Sequence, residues 1–241
     1  MNLNHVGLSG LVSVSLLLLV VGLLSVGCAS PNSEPEVESV SENGERELVV
    51  LVHGLGRTEL SMLPFSWALK RNGYEVLNWG YSSTCCSIAE IGERLGSDLE
   101  ALEPRPDKIH FVGHSMGNIV VRWMLNHDPP AEKGRVVMLA PPNKGAEVAD
   151  KYVDLMGWLL EPLEDLTTDE NSTARSLPPI EEREVGVIAG KYDGKVSLDE
   201  AHHEGEEDFK VVGAAHTFIM NRPDVHRFTV DFLQDGYFEQ N

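Results

Sequence analysis

The chain alternates between short, wholly apolar runs and longer stretches in which apolar positions recur at helical spacing. Residues 48–52 are an unbroken Leu and Val run that stops at His53-Gly54. A run without polar alternation marks a strand covered on both faces, as in a parallel sheet. Comparable runs occupy 74–79, 108–112, 135–140, 184–189 and 209–212, each closing near Gly, Pro or a polar turn. Helical patterns lie between them, at roughly 60–72, 88–102 and 118–127, with a last one at 224–234. Such alternation predicts the α/β class, one domain with a mostly parallel sheet of about six strands and helices on both faces. Ligand sites in such sheets lie at the carboxyl ends of the strands, so the loops after each strand are where chemistry is sought.

The first 45 residues do not fit this pattern. Residues 6–29 carry no charge and 16–24 are nearly pure Leu and Val, which partition into a membrane. Residues 1–27 therefore read as a signal peptide or membrane anchor. The small residues Ser25, Val26 and Gly27 before Cys28 resemble the bacterial lipoprotein box, which implies lipidation of Cys28. A cleaved signal and a retained transmembrane helix stay open beside it. Residues 28–45 shift to Ser, Pro, Asn and Glu, too polar to offset the entropy of ordering, and read as a flexible acidic linker. The folded domain is expected over 46–241, in the cell envelope outside the cytoplasm, lipid-anchored to a membrane or else secreted.

Charge narrows the partners. With 38 acidic and 19 basic residues the formal charge is −19, which repels a phosphate backbone and excludes nucleic acid as an expected partner. The three cysteines make no disulfide framework and no metal-ligand spacing, so no metal and no cofactor is expected. The adjacent Cys85 and Cys86 read first as free buried thiols, with a vicinal disulfide or an intermolecular link as alternatives.

The strongest chemical signal follows the third apolar run. Gly113-His114-Ser115-Met116-Gly117 matches G-x-S-x-G and leads straight into the apolar helical run 118–125. A turn that tight between strand and helix forces the central residue into a strained backbone, and glycines two positions either side remove atoms that would collide. Ser115 is the candidate nucleophile. A hydroxyl needs an adjacent base and a third group to orient it.

Of nine histidines, His216 alone sits in a small-residue loop, Gly213 to Thr217, between the last strand and the last helix, and is the expected base. His110 falls inside a strand, His127 and His226 in helices, and His114 lines the pocket without attacking. Asp193, after the run ending at Ala189, is the expected orienting acid, with Asp199 as its rival. The order Ser, Asp, His along the chain is that of the hydrolases. The oxyanion is expected on the amides of Met116, after the nucleophile, and Leu55, in the glycine-flanked loop after the first strand. His53, Gly54 and His114 are assigned to the substrate wall, with His53 also bracing its loop.

These residues resemble the lipases and esterases of the α/β-hydrolase superfamily, especially small bacterial triacylglycerol-lipase-like proteins. The matching stretches are LVVLVHGLGRT at 48–58, FVGHSMGNIVVR at 111–122, VVMLAPPNKGAEVAD at 136–150, Ala189-Gly190 with Asp193-Gly194, and GAAHTFIM at 213–220. The resemblance implies a Ser115, Asp193, His216 triad, an α/β-hydrolase domain starting at the family's third strand, and hydrolysis of carboxylic esters of lipid or acyl type. Thioester hydrolysis and acyl transfer use the same residues, and an envelope lipoprotein that kept the fold without activity is the non-enzymatic alternative. Where the family has a further glycine after the elbow, this chain has Asn118.

Residues 144–180 are too long for a plain connection and carry Tyr152, Leu155, Met156, Trp158, Leu159 and Leu160. They read equally as a lid that opens toward lipid or as a crossover helix packed on the sheet. Asn171-Ser-Thr173 forms a glycosylation sequon, read as an unmodified loop, and His202-His203-Glu204 reads as a solvated loop rather than a cation site.

Overall fold

The computed structural model describes residues 44–157 and 159–239. The readings of 1–27, of Cys28 and of nearly all of the linker lie outside these residues, as does Trp158.

Six strands form one sheet: β1 Glu47–Val52, β2 Glu75–Trp79, β3 Lys108–His114, β4 Lys133–Leu139, β5 Val185–Gly190 and β6 Asp208–Val212. Their order is β2-β1-β3-β4-β5-β6 and every pairing is parallel. The unbroken apolar runs are the inner strands, which helices cover on both sides. β2 and β6 are only half-buried, and polar residues such as Glu75, Asn78, Asp208 and Lys210 blunt these two edges against further pairing.

Among the described residues seven α-helices alternate with these strands: α1 Leu63–Arg71, α2 Ile88–Glu100, α3 Met116–His127, α4 Glu147–Met156, α5 Thr173–Ser176, α6 Leu198–Ala201 and α7 Pro223–Asp235. Alternate strand residues feed two cores. Val50, Val52, Phe111 and Met138 pack with residues of α2 and α3, while Val49, Leu51, Val112 and Leu139 pack with α1 and α7. The helical pattern at 60–72 is broken in two, a 3₁₀ turn at Glu59–Met62 and then α1, because Pro64 is tolerated in a first turn but not in a helix interior. α2 starts with a capping box: the Ser87 hydroxyl accepts from the Glu90 amide at 3.3 Å, and Glu90 Oε2 accepts from the Ser87 amide at 3.0 Å.

The topology creates the site. β1 lies between β2 and β3, and the chain leaves β1 toward α1 on one face and β3 toward α3 on the other. A crevice opens where neighbouring strands send their loops to opposite faces, here at the carboxyl ends of β1 and β3.

Residues 144–180 fold as α4, a 3₁₀ segment Glu161–Leu166 and α5. A buried cation fastens this insert to α3. Arg122 gives Nη1 to the Asn143 and Ala174 carbonyls at 3.2 and 3.0 Å, and Nη2 to the Leu177 carbonyl at 2.7 Å. The Ile88 amide donates to Asp165 Oδ2 at 2.8 Å, a second tie from α2.

Cys85 and Cys86 correct their first reading. They are disulfide-bonded to each other in the turn between β2 and α2, Cys85 exposed and Cys86 half-buried against the edge of the core. Among the described residues no helix is long and apolar enough to cross a membrane.

Candidate active site

β3 delivers Ser115 at a turn so tight that its backbone sits at φ 54° and ψ −126°, in the region that favours glycine. Three polar contacts hold it there. The Ser115 amide donates to the Leu139 carbonyl at 2.9 Å, and Asn118 Nδ2 donates to the Ser115 and Leu139 carbonyls at 2.9 and 3.2 Å. Asn118 thus stitches the elbow to β4, and its side chain fills the space beside Gly113, where a Cβ would meet Asn118 Oδ1 at 2.3 Å. Gly117 is more constrained still, since a Cβ there would lie 2.2 Å from the Val52 carbonyl oxygen. The obstacle is backbone, so Gly117→Ala is expected to destabilise the protein by about 1–3 kcal/mol or more, measured by urea unfolding.

The loops after β5 and β6 complete a row. His216 Nε2 lies 2.9 Å from Ser115 Oγ, and His216 Nδ1 lies 2.7 Å from Asp193 Oδ2. Asp193 is fixed from behind, because Oδ1 accepts the amides of Lys195 and Val196 at 2.8 and 2.9 Å. Its side chain is 1% exposed and that of His216 8%. A carboxylate cannot donate, so Nδ1 carries the proton and Nε2 presents its lone pair to the serine. Asp199 stands apart, 85% exposed and paired with Lys144 at 3.0 Å.

Leu55 and Met116 supply the backbone amides that face no acceptor: among the described residues neither N–H is hydrogen-bonded. Met116 opens α3, whose first amides lack helical partners. Gly54 brings the β1 loop in close, for a Cβ at that position would sit 3.0 Å from Ser115 Cβ.

Residues 42–141 match the sequence profile of the family described as "Putative serine esterase (DUF676)". No curated protein matches the chain. Among solved structures, the mature lipase of Bacillus licheniformis superposes with a TM-score of 0.57 at 18% identity, covering 79% of this chain and 90% of that one. The enol-lactonase of Burkholderia xenovorans LB400 gives 0.58 at 17%, covering 82% and 95%. A type II thioesterase from the borrelidin biosynthetic cluster gives 0.57 at 16%, covering 85% and 98%. The chain has the α/β-hydrolase fold.

Within that fold the second row of residues holds the first. His114 is buried, and its Nε2 donates to the His216 carbonyl at 3.0 Å, so it steadies the loop that carries His216. Burial, with lesser contributions from His216, Arg57 and Lys195, holds His114 well below the usual histidine range, which keeps it neutral. His114 and Gly54 line the cavity in front of Ser115, but His53 does not. His53 lies fully buried, stacked on Tyr81 at 4.2 Å, with Nδ1 donating to the Gly54 carbonyl at 3.1 Å. The assignment of His53 to the substrate wall is thereby corrected, because its ring points to the core side of its loop. Tyr81, missed in the sequence, donates its hydroxyl to the His53 carbonyl at 2.5 Å and props the same loop.

The cavity has a volume of about 630 Å³. One wall comes from the insert, through Ala149, Tyr152, Met156, Leu160, Leu163 and Leu166, and is apolar. The insert is thus packed beside the site and also presents apolar groups outward, with Leu155 68% and Leu159 56% exposed.

His203 departs from its reading as a solvated residue. It is buried, and its Nε2 accepts the Ile180 amide at 3.2 Å, closing the far end of the insert. Among the described residues no cluster suits a metal ion. Burial, with the nearby Arg122 charge, lowers the His203 pKa to about 4. The unfolded chain takes up this proton near its ordinary value of about 6.5, so between these limits the unfolded state binds more protons and stability falls as pH falls. This group is expected to withdraw roughly 3 kcal/mol between about pH 7 and pH 4. The matched comparison is urea unfolding of His203→Gln, in which that part of the acid sensitivity disappears.

Proposed function

We propose that the protein hydrolyses carboxylic esters with an apolar acyl group through an acyl-enzyme on Ser115. The observation that carries this reading is the row Asp193, His216, Ser115, joined at 2.7 and 2.9 Å, beside two amides without acceptors. Ser115 Oγ attacks the acyl carbon as its proton passes to His216 Nε2, and Asp193 stabilises the imidazolium that forms. The carbonyl oxygen becomes an anion held by the N–H groups of Leu55 and Met116. As the tetrahedral species collapses, the C–O bond to the leaving group breaks and that oxygen takes the proton from His216. Water then adds to the acyl-enzyme, giving its proton to His216, and the acid leaves as Ser115 regains its own.

The apolar wall from the insert favours an acyl chain as the group retained on Ser115. The matched esterase profile supports oxygen esters ahead of thioesters. Matched p-nitrophenyl esters and acyl thioesters of rising chain length test this. Ester hydrolysis with kcat/KM rising with chain length is expected, and turnover of thioesters alone, or of neither, contradicts it. The uncharged N-terminal run supports placement outside the cytoplasm on a lipid anchor, for which the mass of the mature N-terminus is the test.

A further inference from the structure

The cavity differs in charge from the protein that contains it. Acidic residues outnumber basic ones two to one in the chain, at 38 against 19. Yet the residues lining the cavity include Arg57 and Lys195 and no Asp or Glu. Among the described residues neither cation has a carboxylate within ion-pair distance, although Lys144 close by is paired with Asp199. Asp193 lies behind His216 with its side chain 1% exposed, its oxygens taken by His216 and two amides.

Position adds direction to the charge. Arg57 Nη2 donates to the carbonyl of Thr217, the residue after His216, at 2.8 Å. Lys195 follows Asp193 by two residues and gives its amide to that carboxylate. Both cations therefore belong to the side of the cavity from which His216 protonates the departing oxygen. The insert supplies a separate, apolar part of the lining. An ester laid across Ser115 places its acyl chain on the insert and its alcohol against Arg57 and Lys195. Thr217 occupies one of the five N–H donors of Arg57, and the remaining fork matches the oxygens of a phosphate, while Lys195 adds a point charge from a second loop.

We propose that the alcohol of the preferred ester carries a phosphate group, and that Arg57 and Lys195 select it. This rests on the ester-hydrolase reading above. The phosphate has two sources, a soluble phosphorylated alcohol or the headgroup of a lipid, and substrates in matched pairs separate them. One pair is the butyryl ester of glycerol phosphate against that of glycerol, both in solution. The other is a long-chain acyl glycerol phosphate against its unphosphorylated counterpart, both in the same neutral detergent micelles.

For the full chain at low salt, kcat/KM for the phosphorylated member is expected to exceed that of its partner by about fivefold to tenfold, since each exposed ion pair contributes a factor of up to about five. The preference shrinks as salt screens the charges. It falls severalfold in Lys195→Gln, returns in Lys195→Arg, and vanishes in the Arg57→Gln, Lys195→Gln double variant. Because the readout is a ratio, a smaller folded fraction leaves it unmoved. A preference in the first pair alone assigns a soluble alcohol, and in the second alone a lipid headgroup. Equal rates within both pairs, or a preference that survives in the double variant, overturn the proposal and leave the esterase reading intact. Failure to hydrolyse any of the four while p-nitrophenyl esters are turned over overturns the proposal alone, and failure on the p-nitrophenyl esters as well overturns both.

Discussion

Ser115→Ala is expected to lower kcat/KM for a chromogenic ester by about a millionfold, to the level left by the remaining binding groups. The variant loses the hydroxyl placed 2.9 Å from His216 Nε2, while the amides of Leu55 and Met116 stay where the backbone puts them. Its stability changes little. Alanine at φ 54° carries the same Cβ strain as serine, and the contacts that hold this turn, from Asn118 and to the Leu139 carbonyl, are made by the backbone of residue 115. Urea unfolding of the variant within about 0.5 kcal/mol of the parent separates loss of chemistry from loss of fold. Residual activity above one part in a thousand, on a folded variant, points to a different nucleophile.

Asp193→Asn carries the second-largest effect, a fall of about ten-thousandfold in kcat, by analogy with the same change in other serine hydrolases. The asparagine oxygen still accepts the Lys195 and Val196 amides, so the loop keeps its shape. Its NH2 group then faces His216 Nδ1 and donates to it, which moves the ring proton to Nε2 and leaves no lone pair toward Ser115 Oγ. The loss is thus one of tautomer rather than of position. Asp199→Asn is the matched comparison: it removes an exposed pair with Lys144, and kcat is expected to stay within about twofold. Equal losses in the two variants contradict the assignment of Asp193.

How much of this was legible in the sequence depends on the range of the interactions. The sheet was legible because each inner strand is a local run, buried on both faces, and the six runs correspond to β1 through β6 within one or two residues. The elbow was legible because its five-residue motif sits directly between an apolar run and a helical one, although the collision that requires Gly117 is with the distant Val52 carbonyl. Less local features were hidden. His53 looked like part of the substrate wall from its place beside Gly54, but Tyr81, twenty-eight residues on, stacks on it and draws it to the core side. His203 looked solvated among acids until the Ile180 amide, from the end of the insert, covered it. Arg122 left one usable sign, a lone charge within the apolar run 119–125, yet nothing nearby names its carbonyl partners on the insert. The disulfide between Cys85 and Cys86 turned on whether their turn lay in the core or on the surface, which neighbouring residues did not decide.

In the proposed reaction everything depends on Ser115 acting as a nucleophile activated by His216. Treating the full chain with a fluorophosphonate, digesting it and locating the adduct by mass spectrometry tests it most directly. One adduct is expected, on the peptide carrying Ser115, formed far more slowly in His216→Ala. An adduct on a different residue, or unmodified protein after prolonged treatment of a folded sample, contradicts it.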